Sequence, residues 1–209
     1  MSQRGAVIAT LRYLGARQRS HAALRHQGYT GRMPPLLTVG HGQLDHDGLR
    51  DLLLGADVDV VVDVRRFRGS RRNPDVNQGS LQQWLPEAGI DYTWEGGLGG
   101  RRSLPTEAGT QDPWWTVDAF RAYAAHTRTP EFTEALERVL DTATRRTVAV
   151  MCSESVWWRC HRRLIADVCT VARDLDVRHL MPDGRLREHR PAAGARRRDD
   201  GLLVWDRHQ

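Results

Sequence analysis

The chain has 209 residues, a formal net charge of +5, 31 arginines and no lysine. That length holds one domain with a real core, or a domain with extensions, and the missing lysine excludes a lysine Schiff base and a P-loop that reaches phosphate through lysine. No apolar run is long enough to span a membrane, the first residues lack the apolar centre of a secretory signal, and three irregularly spaced cysteines make no disulfide framework, so a reducing cytoplasm is the expected compartment.

Residues 1–33 carry arginines at 4, 12, 17, 19, 25 and 32 and no acid. Leu11, Leu14 and Leu24 give only a weak apolar stripe, so this stretch reads as a basic N-terminal extension, either a loose terminus or an arm for nucleic acid. Residues 34–209 read as a single α/β domain, opened by Pro34-Pro35. Leu36 to Val39 predicts a strand ending in Gly40-His41-Gly42. Asp45 is placed to cap a helix carrying Leu49, Leu52 and Leu53. Val58 to Val64 predicts a second strand, and Ser80 a cap for a short helix with Leu81, Trp84 and Leu85. Gly89 to Trp94 alternates as a third strand. Residues 95–112 are glycine-rich and polar, too long for an idle connection. Two helices follow, one with Val117, Phe120 and Ala124, the next with Phe132, Leu136 and Val139. Thr147 to Val150 predicts a fourth strand, a helix through Leu164 to Val168 follows it, and Val177 to Leu180 predicts the last strand. A polar loop is expected near 190–200, with Gly201 to Trp205 returning to the body. Strands that alternate with helices predict a mostly parallel sheet with helices on both faces, and ligands in such sheets bind at the carboxyl ends of the strands.

The densest chemistry falls in Met151-Cys152-Ser153-Glu154, followed by Cys160-His161-Arg162-Arg163. Cys152 lies between a strand and a helix N-terminus, with Arg159, Arg162 and Arg163 nearby, and both effects favour a thiolate. The alternative is a small apolar residue that ends a buried strand. Helical phase counted from Cys160 groups it with Leu164, Val168, Val171 and Leu175 on a buried face and turns the three arginines mainly outward. Cys160 then packs beneath the loop or meets Cys152 as a redox partner. Zinc at Cys152, Cys160 and His161 lacks both a usual spacing and a fourth ligand, so no cofactor is expected. Asp63 and Glu154 share one crevice if their strands are neighbours. Asp63 reads as an acid/base partner or as a buried salt bridge to Arg65 or Arg162, and Glu154 as the better general acid/base. Arg65, Arg66, Arg68, Arg71 and Arg72 surround Gly69-Ser70, and Arg101-Arg102 follow two glycines. Such loops suit phosphate.

The segments Thr38-Val39-Gly40-His41, Val62 to Phe67, Gly69 to Pro74, Leu98 to Arg102, Met151 to Glu154 and Cys160 to Arg163 resemble the bacterial domain-of-unknown-function family 488. The resemblance covers roughly residues 35–190 and implies an α/β domain with a shared site, without an established reaction.

Three functions follow from these readings. The first is an enzyme, hydrolase or transferase, acting on a phosphate-bearing nucleotide or nucleic acid. Its catalytic set is Glu154, Cys152 and Asp63. Its binding set is His41, Arg65, Arg66, Arg71, Arg72, Asn73, Arg101, Arg102, Ser153, Trp157, His161 and Arg162. The second is a thiol-based enzyme, sulfurtransferase-like or redox, using Cys152. The phosphatase analogy is poor, because the arginine such loops place six residues after the cysteine is Trp158 here. The third is a non-catalytic nucleic-acid module built on the basic arm and tryptophan surfaces.

Overall fold

The apolar runs form five parallel strands: β1 (Leu36–Gly40), β2 (Val60–Asp63), β3 (Asp91–Trp94), β4 (Val148–Cys152) and β5 (Val177–Leu180). They are seen in a computed structural model that describes residues 33–104 and 111–206. The basic extension, apart from Met33, and residues 105–110 of the glycine-rich segment therefore lie outside the described residues. A short strand, β6 (Leu186–Glu188), adds antiparallel to β5, and the spatial order is β3-β2-β4-β1-β5-β6. The sheet is thus the mostly parallel α/β sheet that the alternating pattern predicts.

The helices are α1 (His46–Gly55), α2 (Gln78–Glu87), α3 (Asp118–His126), α4 (Pro130–Ala143) and α5 (Arg162–Asp167), the last running into a π-turn over Val168–Ala172. Side chains alternate across a strand, so each central strand feeds two apolar layers. Leu36, Val62 and Val150 pack with Phe132 and Leu136 of α4 and Leu164 and Ile165 of α5. Leu37, Val61 and Met151 pack with Leu49 and Leu53 of α1 and Leu81 and Leu85 of α2. Helices therefore cover both faces.

Local signals explain two of the helix starts. Asp45 accepts the Gly48 N–H at 2.9 Å and caps α1, as its position predicts. Thr129 accepts the Phe132 N–H and Pro130 opens α4. Ser80 is not a cap. A 3-10 turn at Pro74–Val76 brings the chain into α2 two residues earlier, and the Ser80 hydroxyl donates to the Pro74 carbonyl.

The segment read as a polar loop near 190–200 contains β7 (Ala195–Arg197), which pairs antiparallel with β8 (Leu203–Trp205). Its arginines, which read as loop, are held by Asp206 and Asp174. Trp205 returns to the body and is fully buried. Its backbone N–H donates to Asp112, which also pairs with the Arg128 guanidinium. Among the described residues no helix is long and apolar enough to cross a membrane.

Two substitutions separate these contributions. Leu136→Ala empties a fully buried site and is expected to cost about 2–5 kcal/mol, whereas Asp45→Ala removes one cap and about 1 kcal/mol. Urea unfolding of the two variants against the parent measures both, and equal losses would contradict this account of the core.

Candidate active site

A cavity of about 390 Å³ opens where β2 and β4 end. Cys152, Glu154, Cys160 and His161 line one side, Arg66 and Arg101 the other, and Phe120 and Tyr123 of α3 close it. β4 delivers Cys152 at its last position, and the loop to α5 folds back to bring Cys160 against it. The two sulfurs are 2.8 Å apart, and both cysteines are free and buried. His161 Nδ1 lies 3.6 Å from the Cys160 sulfur. Its Nε2 is buried with no partner among the described residues.

The pair shares a proton unequally. Burial opposes charge on Cys160, but the Cys152 thiol, His161 and Arg162 outweigh it and hold Cys160 well below the ordinary thiol range. Burial, followed by hydrogen bonding to Cys160 and its charge, pushes Cys152 well above that range. The acidic thiol is therefore Cys160, not Cys152 as the sequence suggests. That expectation placed a helix N-terminus directly after Cys152, whereas α5 begins only at Arg162, beyond a 3-10 turn at Trp157–Arg159. Cys169 behaves as the packing residue it resembles, since burial, with a smaller contribution from Glu137, pushes its thiol up to about 12.

Arg162 is the second correction. Its side chain points inward and is 1 % exposed. Cys160 has an extended backbone, φ −127° and ψ 151°, so helical phase cannot be counted through it. The guanidinium donates to the Glu154 carbonyl and, at 3.5 Å, to the Thr38 hydroxyl. No ion pair joins it to a carboxylate among the described residues. A buried guanidinium without a carboxylate favours negative charge on the adjacent sulfurs. Gly40 makes this approach possible. It stands beside Cys152 in the sheet, and a Cβ there would sit 1.8 Å from the Glu154 carbonyl oxygen and 2.6 Å from Arg162 Nη2.

Behind Arg162 runs a polar chain that sequence reasoning missed. Thr38 Oγ1 is 2.7 Å from His179 Nδ1, His179 Nε2 is 2.9 Å from His189 Nδ1, and His189 Nε2 is 2.7 Å from Asp167. Asp167 also accepts from the Trp205 indole and the Ala192 N–H. Arginine can only donate and carboxylate can only accept, so the chain runs from a donor end at Arg162 to an acceptor end at Asp167. Burial, the neighbouring His189 and Arg162 lower His179 to about 3, which keeps it neutral. With Trp205 these residues come from five separate segments, and their only sequence signal is polarity inside apolar runs, as at Thr38 and His179. Trp157, expected to bind substrate, instead stacks on His179 at 4.1 Å.

Asp63 is adjacent to the cavity in sequence but not in direction. β2 and β4 are neighbours, as the crevice argument required, yet Asp63 pairs in register with Met151. Paired residues share a face, and Cys152, one position on, faces the other way. Asp63 is fully buried and accepts from the Arg65 backbone N–H, from Arg65 Nε and Nη2, and from the Tyr92 hydroxyl. Arg65 Nη1 reaches His41 Nε2 at 3.2 Å, so that nitrogen accepts and His41 Nδ1 donates to the Gly42 carbonyl. Burial and Arg65 lower His41 to about 4. The salt bridge is the role the geometry gives Asp63.

The remaining expected residues divide by position. Glu154, Ser153, Arg65, Arg66, Arg101 and His161 line the cavity, and Glu154 is exposed to solvent. Arg101 holds a positive φ of 58°. Arg102 turns away to Glu131 and the carbonyls of Gly96 and Gly99. Arg71 and Arg72 are exposed on the loop beyond, and Asn73 ties that loop to the Leu44 carbonyl. As for zinc, two thiolates bound tetrahedrally would stand about 3.8 Å apart, wider than these sulfurs. Among the described residues no His, Cys, Asp and Glu group is arranged to hold a metal ion.

Two outcomes are expected. His41 and His179 stay neutral when folded but regain ordinary proton affinity when unfolded. The unfolded chain then binds more protons below about pH 6.5, and stability falls as pH drops towards 4, by up to about 1.4 kcal/mol per pH unit for each histidine. Urea midpoints at about pH 7.5 and about pH 5 measure this, and His41→Gln should flatten the slope. Gly40→Ala overpacks the Glu154–Arg162 contact and is expected to cost about 1–3 kcal/mol. A variant as stable as the parent in thermal unfolding would refute that contact.

The family comparison matches residues 47–169 to a model described as domain of unknown function DUF488. No curated protein and no solved structure matches the chain. The matched stretch spans more than half of the sequence and contains all of α1 but its first residue, β2, β4 and both cavity cysteines. With its strand-end motifs at Asp63 to Arg66 and Cys152 to Arg162 inside that match, the chain belongs to the DUF488 family.

Proposed function

We propose that the protein is a thiol-based enzyme whose cavity takes a phosphate-bearing substrate. The observation that carries this reading is the pair of free thiols 2.8 Å apart beside a buried guanidinium with no carboxylate ion pair among the described residues. One proton shared between two sulfurs leaves a nucleophile at Cys160 and a donor at Cys152. The cavity supplies the rest. Arg66 and Arg101 offer forks suited to phosphate. Glu154, exposed at the mouth, is a general base for water, and His161, whose Nδ1 lies 3.6 Å from the Cys160 sulfur, is placed to pass a proton to a leaving group.

In this mechanism the Cys160 thiolate attacks the electrophilic centre and forms a sulfur–substrate bond. The bond to the leaving group breaks with its electron pair, and His161 gives the leaving group a proton. Water then yields a proton to Glu154 and displaces the sulfur, which restores the thiolate. The geometry favours this thiol-centred form over one in which Glu154 acts alone, because Arg162 is directed at the sulfurs.

The same separation supports a second reading, a dithiol–disulfide couple. There Cys160 attacks a substrate disulfide and expels one thiolate. Cys152 then attacks the mixed disulfide and expels the other, so two protein thiols are oxidised as one substrate disulfide is reduced.

Iodoacetamide alkylation across a pH series tests the thiol. The fast-reacting residue is expected to be Cys160, with an apparent pKa below the free-thiol value of about 8.5. Arg162→Met should slow its alkylation at neutral pH about tenfold or more. An apparent pKa at or above the free value would sink the proposal. Cys152→Ser separates the two readings. It keeps a hydroxyl donor and a fast Cys160 in the first, and it abolishes reduction of a small disulfide in the second.

A further inference from the structure

We infer that the loops around the cavity mouth dock single-stranded nucleic acid, with one of its nucleotides entering the cavity. This rests on the reading of the cavity as a phosphate-bearing substrate site.

Most described arginines away from the mouth face a carboxylate, as Arg50, Arg128, Arg138, Arg145 and Arg173 do. The mouth differs. Arg66, Arg68, Arg71 and Arg72 on the loop after β2, Arg101 after Gly99-Gly100, and Arg159 before α5 make no ion pair among the described residues. Glu154 stands at the mouth among these six arginines, and other nearby carboxylates are engaged elsewhere: Glu95 by Arg138, Glu131 by Arg102, Asp75 by the His46 N–H. The result is an excess of positive charge at the mouth, which favours a polyanion.

Aromatic rings stand among these cations. Phe67 is 62 % exposed, with the Arg101 and Arg66 guanidiniums 5.3 and 6.0 Å from its ring centre. Trp94 is 44 % exposed and carries the Arg68 guanidinium 3.9 Å above its ring. A large apolar ring kept in water costs free energy, and two of them beside one cavity call for an occupant. A flat guanidinium on a flat ring occupies the position a base would take. A base stacked on Trp94 would release Arg68 to a phosphate.

A polymer fits better than a free nucleotide. Arg66, Arg101 and Arg159 line the cavity and suffice for one phosphate group. Arg68 lies with Arg66 and Trp94 in an adjoining cleft, and Arg71 and Arg72 lie farther along the same loop. These cations match a backbone that continues past the cavity. A single strand fits better than a duplex, because only unpaired bases can stack on protruding rings or enter a concave cavity.

The test uses the full chain and fluorescence anisotropy with a labelled mixed-sequence DNA strand, its duplex and a nucleoside monophosphate competitor, over a salt series. The strand is expected to bind more tightly than the duplex. Phe67→Ala should weaken strand binding about fivefold or more. Arg68→Gln/Arg71→Gln/Arg72→Gln should lower the slope of log affinity against log salt by about 2. Phe67, Arg71 and Arg72 are exposed and Arg68 is half-buried against Trp94, and thermal unfolding checks that both variants stay folded. Parent-like binding by both variants, or equal affinity for duplex and strand, overturns the inference and assigns the binding to undirected charge. Protection of Cys160 from alkylation by the monophosphate is read separately. Its loss with Phe67-dependent strand binding intact would overturn the substrate reading and leave the docking surface standing.

Discussion

A buried guanidinium governs the organisation around β4. Arg162 enters the body of the protein at the start of α5, where a cation is expensive to desolvate. Its charge is met on one side by the cysteine sulfurs and the Glu154 carbonyl, and on the other by Thr38, the neutral His179, His189 and the distant Asp167. It adds to the acidity of Cys160, which Cys152 and His161 set first, and to the neutrality of His179, which burial sets first, and its approach to the Glu154 carbonyl requires glycine at position 40.

The fold supplies the partners from distant segments. β1 contributes Gly40 and Thr38, β5 contributes His179, and the segment after β6 contributes His189. Trp205 of β8 holds the far carboxylate of Asp167. The C-terminal hairpin is therefore coupled to the thiol pair although it lines no part of the cavity. On the opposite face a second charged pair, Asp63 with Arg65, braces the loop after β2 and presents Arg66 and Phe67 to the mouth. One pair of strand ends thus carries two charged assemblies on opposite faces of the sheet.

Part of this was legible in the residues. The clustering of Cys152, Glu154, Cys160, His161 and Arg162 marked the loop after β4, and glycine-flanked arginines marked the loops opposite. Asp63 was legible as a buried ion pair but not in its direction, because a parallel register decides which face a strand-end residue shares. The arginine phase went wrong at Cys160, whose extended backbone breaks the helical count. The histidine chain was not legible. Its members are spread from residue 38 to residue 205, and each alone looks like a tolerated polar residue in an apolar run.

The sequence alone determined the α/β class and the positions of most strands and helices. Those rest on periods of two and 3.6 residues, on Asp45 as a cap and on Pro130 at a helix start, all of them local. It also carried the motifs of the DUF488 family. Only the tertiary structure decided which thiol is acidic, where Arg162 points and which side chains share the cavity. Those properties depend on burial and on neighbours far apart in the chain, and a thiol or guanidinium has no fixed character until both are set.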